Sequence, residues 1–246
     1  GIASANLAFY GESAGGSYHT LYDTYEHYSR FRDPGFAYSV ALTELAGRTT
    51  LRLANARVLP FRFAGLADSL KLYLSELEAL AETKRKAAKR NKTLLEKNTY
   101  GLALDSQKTL GAPPALPKVP FFNFAPLKNA LASVEEAATE LDEALTDGDL
   151  EGVDLAALNR RLFQSERALT SKQGLPGRDW YRHQIYAPGF YTGYGVKTLP
   201  RVREAIETKR YAEVDQQIAA LRREAAGLLE SMRSPLPAAP GGLPAP

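Results

Sequence analysis

The sequence predicts a mainly α protein, a helical bundle preceded by a short α/β-like piece. Three observations carry the prediction. Apolar residues recur every three or four positions over 66–81, 127–145 and 214–228, the pattern of amphipathic helices. Strand-like patterning is confined to Ile2–Phe9. About sixty residues with one strand bury too little apolar surface to stand as an α/β domain, so they read as the end of a larger one.

The 246 residues suit one large domain or two small ones. Hydrophobic residues at 44% and charged residues at 24% describe a soluble globular protein. A net charge of +3 is too small to argue for nucleic acid or an anionic membrane surface as partner. No apolar run approaches the roughly 18 residues of a membrane span. The absence of cysteine excludes disulfides and thiolate metal sites. The chain opens on Gly1 rather than Met and lacks a basic, apolar leader, as a mature or trimmed piece would.

After Ile2–Phe9, Gly11, Gly15 and Gly16 with Ser13 and Ser17 form a loop closed by Tyr18-His19. Tyr22, Tyr25 and Tyr28 follow at intervals of three, one face of a helical turn. His19 stands at a helix start beside a glycine loop. A lone histidine is more often structural than a ligand, and no HExxH-type pattern surrounds it. Asp33-Pro34 reads as a cap followed by proline at the first helical position. The helix it opens spans 33–58, weakened near Gly47, and Leu59-Pro60-Phe61 breaks it.

From Gly65 the helices are long. Leu66, Leu70, Leu74, Leu77 and Ala81 form a stripe, and the run 84–92, KRKAAKRNK, continues it as a solvated helix end. Prolines at 113, 114, 117 and 120 make 98–124 a long insertion loop. Pro126 opens a helix whose seam is Leu127, Leu131, Val134, Ala138, Leu141 and Leu145. Leu155, Leu158, Leu162 and Leu169 define the next. Pro200 starts a short helix through Ile206, and Val214 to Leu228 form the last. The bundle spans 62–232. The tail 233–246, rich in proline, has no useful apolar period and reads as disordered.

Between the last helices lies GLPGRDWYRHQIYAPGFYTGY, residues 174–194. Its four glycines and two prolines exclude helix. Six aromatics in so short a span make it an ordered loop, either covering the core or forming a binding surface. The 66–81 and 127–145 stripes cover each other, as do 155–169 and 214–228. Leu116, Phe121, Phe122 and Phe124 are then left without a partner, and an apolar cluster of that size marks an interface, most simply a two-fold homodimer; the competing reading is that the cluster folds back over its own bundle.

Four motifs, in order, resemble one family: GIAS at 1–4, YHTLYDTYEHYSRFRDP at 18–34, LANARVLPF at 53–61 and GLPGRDWYRHQIYAPG at 174–189. They are similar to the C-terminal part of the glutamate carboxypeptidase II-like zinc exopeptidases. The resemblance implies the end of an α/β zinc peptidase domain over 1–61 and a transferrin-receptor-like dimerisation domain over 62–232. It implies a homodimer, a peptide substrate and two zinc ions in the whole protein, and an extracytoplasmic location. A non-catalytic, receptor-like dimerisation or binding module is the alternative.

Carried over by residue, the resemblance implies a zinc ligand at His19. It implies a hydroxyl contacting the tetrahedral intermediate at Tyr18, and a group binding the substrate's terminal carboxylate at Tyr194. The remaining zinc ligands, several carboxylates and a second histidine, have no counterpart here, and His27 and His183 are wrongly spaced to replace them. The chain alone is therefore expected to be inactive. Gly193 stands where the glutamate-specific enzymes carry a lysine, and Asn6 and Ala8 stand in place of two arginines. Ala14 and Gly15 also depart from the family's loop. These departures imply a preference for uncharged terminal residues. The 84–123 stretch looks longer than in the family.

Overall fold

The structure, a computed structural model, describes residues 3–10, 17–103 and 111–239. The chain divides into two units, 2–60 and 61–246, and each is described by itself.

In the first unit residues 3–10 form no strand, contrary to the sequence prediction, and the glycine loop at 11–16 lies outside the described residues. The tyrosine stripe yields only α1, Tyr25–His27, followed by a π-type turn over Tyr28–Arg32. Thr24 Oγ1 caps α1 by accepting the His27 N–H at 3.1 Å. Helix α2, Ala37–Ala54, begins later than Asp33-Pro34 predicts, because Gly35 (φ +80°) and Phe36 (φ +58°) turn the chain left-handed first. Asp33 still caps it from a distance. Its carboxylate accepts the N–H groups of Tyr38 at 3.0 Å and Ser39 at 2.8 Å, and the hydroxyls of Ser39 at 2.8 Å and Tyr28 at 3.2 Å. Burial opposes ionisation of Asp33, but these four donors hold its carboxyl below the usual carboxylate range. Gly47 does not interrupt α2. None of the side chains of α2 is buried, although Tyr38, Val40, Leu45, Leu51 and Leu53 lie on it.

The second unit is the bundle. Helix α3, Phe63–Glu96, is followed by the short α4, Thr99–Ala103. Asp142 caps α3 by accepting the N–H groups of Phe63 at 2.9 Å and Ala64 at 3.0 Å; this long-range cap sets the start two residues before Gly65. Residues 111–124 run extended along the end of α3. There Asn91 Oδ1 accepts the Leu116 N–H at 2.8 Å and Arg85 donates to Pro120 O at 3.0 Å.

Helix α5, Ala125–Thr146, packs against both α3 and α8, Val214–Arg233. The predicted pairing of 66–81 with 127–145 holds. The predicted pairing of 155–169 with 214–228 is only partial, since α5 also covers α8. Ala137 and Ala138 explain this: both are buried, which widens the narrow seam to two faces. Helix α6, Leu155–Gln164, is capped by Asp154, which accepts from Ala156 and Ala157, each at 3.0 Å. A 3₁₀ segment, Ser165–Leu169, continues it and packs on α8.

Two expectations are corrected in this unit. Phe122 (3% exposed) and Phe124 are buried, with Phe122 against the ring of Tyr211 at 5.9 Å. The apolar cluster therefore folds back on its own bundle, and only Phe121, at 80%, stays exposed. The segment after α8 is not loose either. Asp154 N–H donates to Pro237 O and Ala239 N–H to Gly152 O, both at 2.8 Å, and Arg161 donates to Ser234 O at 3.0 Å and Pro235 O at 2.6 Å. Residues 240–246 lie outside the described residues. No helix of the described residues is long and apolar enough to cross a membrane.

Candidate functional site

The aromatic stretch is ordered, and its second half is a hairpin that the sequence did not suggest. Strand β1, Tyr186–Gly189, pairs antiparallel with β2, Thr192–Thr198, in the register Tyr186 to Thr198 and Gly189 to Thr192. A Cβ at Gly189 would run into Thr192 Oγ1, so the tight turn requires glycine there. Upstream, Gly174 (φ +63°) and Gly177 (φ +72°) frame a turn closed by reciprocal bonds between Leu175 and Arg178, 3.2 and 2.9 Å.

What fixes the hairpin is polar rather than aromatic. Arg178 Nη2 donates to both carboxylate oxygens of Glu204, at 2.7 and 2.8 Å, and Nη1 donates to Pro188 O at 2.5 Å. Glu204 Oε1 also accepts the Phe190 N–H at 3.0 Å. Both side chains are only 6% exposed. Glu204 comes from α7, Pro200–Glu207, so this pair ties the 174–179 turn, the hairpin and a helix at one point. Arg178 also lies over the rings of Tyr181 and Phe190, at 5.3 and 5.4 Å. A second guanidinium, Arg201, donates to Gln184 Oε1 at 2.8 Å, Gln217 Oε1 at 3.0 Å and Gly174 O at 2.5 Å.

The aromatic side chains themselves mostly face outward. Trp180, Phe190 and Tyr191 are exposed, as is Tyr194 on β2, at 86%. Beside the hairpin root, the His183 ring stacks on Tyr186 at 4.9 Å. His183 Nδ1 accepts the N–H groups of Ile185 and Tyr186 at 3.2 and 3.3 Å, which leaves the proton on Nε2, 3.4 Å from Glu166 Oε1. Burial pushes the His183 imidazole below its ordinary value, with Glu166 pulling the other way.

The sequence-predicted site residues fall in both units. Tyr18 and His19 lie together in the first, their rings in edge contact at 4.0 Å. Tyr18 is 66% exposed. His19 adopts φ +61°, a left-handed conformation uncommon outside glycine. The adjacent turn is held by Thr20, whose N–H and hydroxyl both donate to Ser17 O, at 3.0 and 2.8 Å. Tyr194 lies in the second unit. Among the described residues no three His, Cys, Asp or Glu come together as a metal site. Sequence reasoning missed Arg178, Glu204 and Arg201. The available signal was Glu204 on the same short helix as the apolar Val202, Ala205 and Ile206, where a carboxylate facing the core needs a buried partner.

Residues 122–229 match the transferrin receptor-like dimerisation domain. Over 198 residues the chain is 29% identical to the probable glutamate carboxypeptidase LAMP1 of Arabidopsis thaliana, covering 78% of this chain and 23% of that protein. It is 27% identical over 224 residues to the probable glutamate carboxypeptidase VP8 of Zea mays, covering 91% and 27%. It is 26% identical over 236 residues to the aminopeptidase NAALADL1 of Mus musculus, covering 89% and 27%. The chain spans about a quarter of the length of these relatives. Part of its bundle, residues 122–229, is thus similar to a transferrin receptor-like dimerisation domain, and over most of its length the chain resembles the glutamate carboxypeptidase-like peptidases.

Proposed function

We propose that this chain is part of a zinc-dependent exopeptidase of carboxypeptidase or dipeptidase type. In it, His19 contributes one ligand to a two-zinc centre. Tyr18 donates its phenol hydrogen to the oxyanion that develops during peptide hydrolysis. Tyr194 binds the terminal carboxylate of the peptide, so the hairpin forms a wall of the substrate site. The bundle mediates a homodimer, for which the match to a dimerisation domain is the support. The protein works outside the cytoplasm.

The observation that carries the reading is the state of the first unit. Helix α2 buries no side chain while exposing several large apolar ones. Such a helix is stable only against a partner body, here the rest of a peptidase domain. The left-handed His19 supports a functional turn, because a non-glycine residue held in that region costs free energy that the surroundings must offset.

The test uses the complete protein. His19→Ala should lower zinc content and abolish peptidase activity while the circular dichroism spectrum stays unchanged. Tyr18→Phe should keep zinc and lose activity by about 100-fold or more, the cost of one oxyanion donor. Full activity in a metal-replete His19→Ala protein would overturn the assignment.

A further inference from the structure

We infer that the basic end of α3 docks on the acidic stripe of α5 in a second copy of this chain. The inference rests on the homodimer reading above and names the contact surface that reading leaves open.

The charge of +3 conceals a strong asymmetry. From Lys84 to Lys97 there are seven Lys or Arg against one carboxylate, Glu96. From Glu135 to Asp154 there are nine Asp or Glu and no Lys or Arg. The two stretches occupy opposite ends of the bundle, because α3 and α5 run antiparallel. Asp142 caps the start of α3, Glu135 takes Lys71 at 2.7 Å, and Lys128 faces Glu78 at 3.9 Å. Arg90 is 27 residues beyond the Asp142-capped Phe63. At 1.5 Å per residue that is about 40 Å along the axis, several times the roughly 8 Å over which salt screens charge. The two ends cannot neutralise each other within one copy.

Local partners do not exhaust them. Glu82 holds Arg85 at 2.6 Å and Lys86 at 3.9 Å, and Glu96 holds Lys92 at 3.6 Å. Among the described residues Lys89, Arg90 and Lys97 have no counter-ion, and neither do Glu140, Glu143 and Asp147. The spacings match as well. Glu136, Glu140, Glu143 and Asp147 step by four, three and four along one face of α5, and Lys86, Arg90 and Lys97 step by four and seven along one face of α3. The first and last charges of each stripe are 11 positions apart, so one laid on the other brings the charges into register.

Exposed ion pairs contribute little one at a time, and the basic end offers an apolar anchor too. Phe121 stands 80% exposed beside a groove of about 380 Å³ that Glu82, Arg85 and Lys128 also line. With the ends some 40 Å apart, two copies lying antiparallel make the contact twice, as a closed two-fold pair requires.

A charge swap tests this on the full chain by sedimentation velocity over a dilution series. Lys86→Glu/Arg90→Glu should weaken the wild-type dimer at least tenfold, and so should Glu140→Lys/Glu143→Lys. Mixing the two variants should restore wild-type affinity, because each contact then again joins opposite charges. Folding defects would not produce that rescue. The wild-type dimer should also weaken as salt rises. A dimer indifferent to both reversals and to salt overturns the inference and leaves the homodimer reading standing. A wild type that stays monomeric throughout overturns both. A monomer that instead binds phosphatidylserine vesicles through Lys86 and Arg90 overturns it in favour of a membrane surface.

Discussion

Replacing Glu204 by glutamine is the sharpest perturbation that the second unit offers. The change is nearly isosteric but puts an amide NH₂ where one carboxylate oxygen accepts from Arg178 Nη2 at 2.7 or 2.8 Å. Donor then faces donor, and a guanidinium whose side chain is 6% exposed loses its counter-charge. Among the described residues Arg178 Nε already has no hydrogen-bond partner. Breaking a buried pair by removing one partner costs about 3–5 kcal/mol, a factor of roughly one hundred to a few thousand in the folded-to-unfolded ratio. The double change Arg178→Met/Glu204→Leu removes both charges and should cost far less, since apolar replacements of buried pairs are often near neutral. Urea unfolding reads both as shifts of the midpoint at constant slope. Hydrogen exchange at the Phe190 amide, which donates to Glu204 at 3.0 Å, reports whether the hairpin loosens first. A Glu204→Gln protein within about 0.5 kcal/mol of wild type, or a double variant worse than the single one, would refute the reasoning.

Three further outcomes are expected. Phe122→Ala should destabilise the bundle by about 3–5 kcal/mol, as for a buried ring, whereas Phe121→Ala should stay within about 0.5 kcal/mol in the monomer; thermal melts at dilutions where the chain is monomeric distinguish them. His183 titrates below its ordinary value in the folded chain, so the unfolded chain takes the proton first. Stability should be full above about pH 6.5 and fall as pH drops from there through the folded-state value. His183→Asn, which keeps an acceptor for the two amides, should remove that slope in urea midpoints taken from pH 8 to 5. Gly193→Lys meets open space at its Cβ and should fold normally. In the complete protein it should raise kcat/KM for peptides ending in glutamate at least tenfold relative to uncharged ones, about 1.4 kcal/mol of discrimination.

The long helices were legible because their cores sit on a 3.6-residue period. Leu70, Leu74, Leu77, Leu127, Leu131, Ile218 and Leu228 are all buried as their spacing implies. The hairpin was not legible, because β2 is exposed through Val196 and so shows no inward-outward alternation, while Pro188 argued against a strand. Sequence alone could not say which way the 121–124 rings point, since a cluster looks the same whether it covers its own core or another's. Of the candidate site, Tyr18, His19 and Tyr194 are proposed from the resemblance alone. Arg178 and Glu204 lie 26 positions apart with no periodic relation, so their pairing leaves no local trace.

The segment after α8 has a practical consequence. Ser234, Pro235, Pro237 and Ala239 act as a strap, fastened by backbone to Gly152 and Asp154 and by Arg161 to the turn that leaves α8. Trimming the chain back to Arg233 would strip Arg161 of both carbonyl acceptors, in a place where burial already lowers the pKa of that guanidinium. Trimming that reaches Ala239 should therefore free the loop ahead of α6, so fusions and cleavage sites belong after this residue rather than at the end of the last helix.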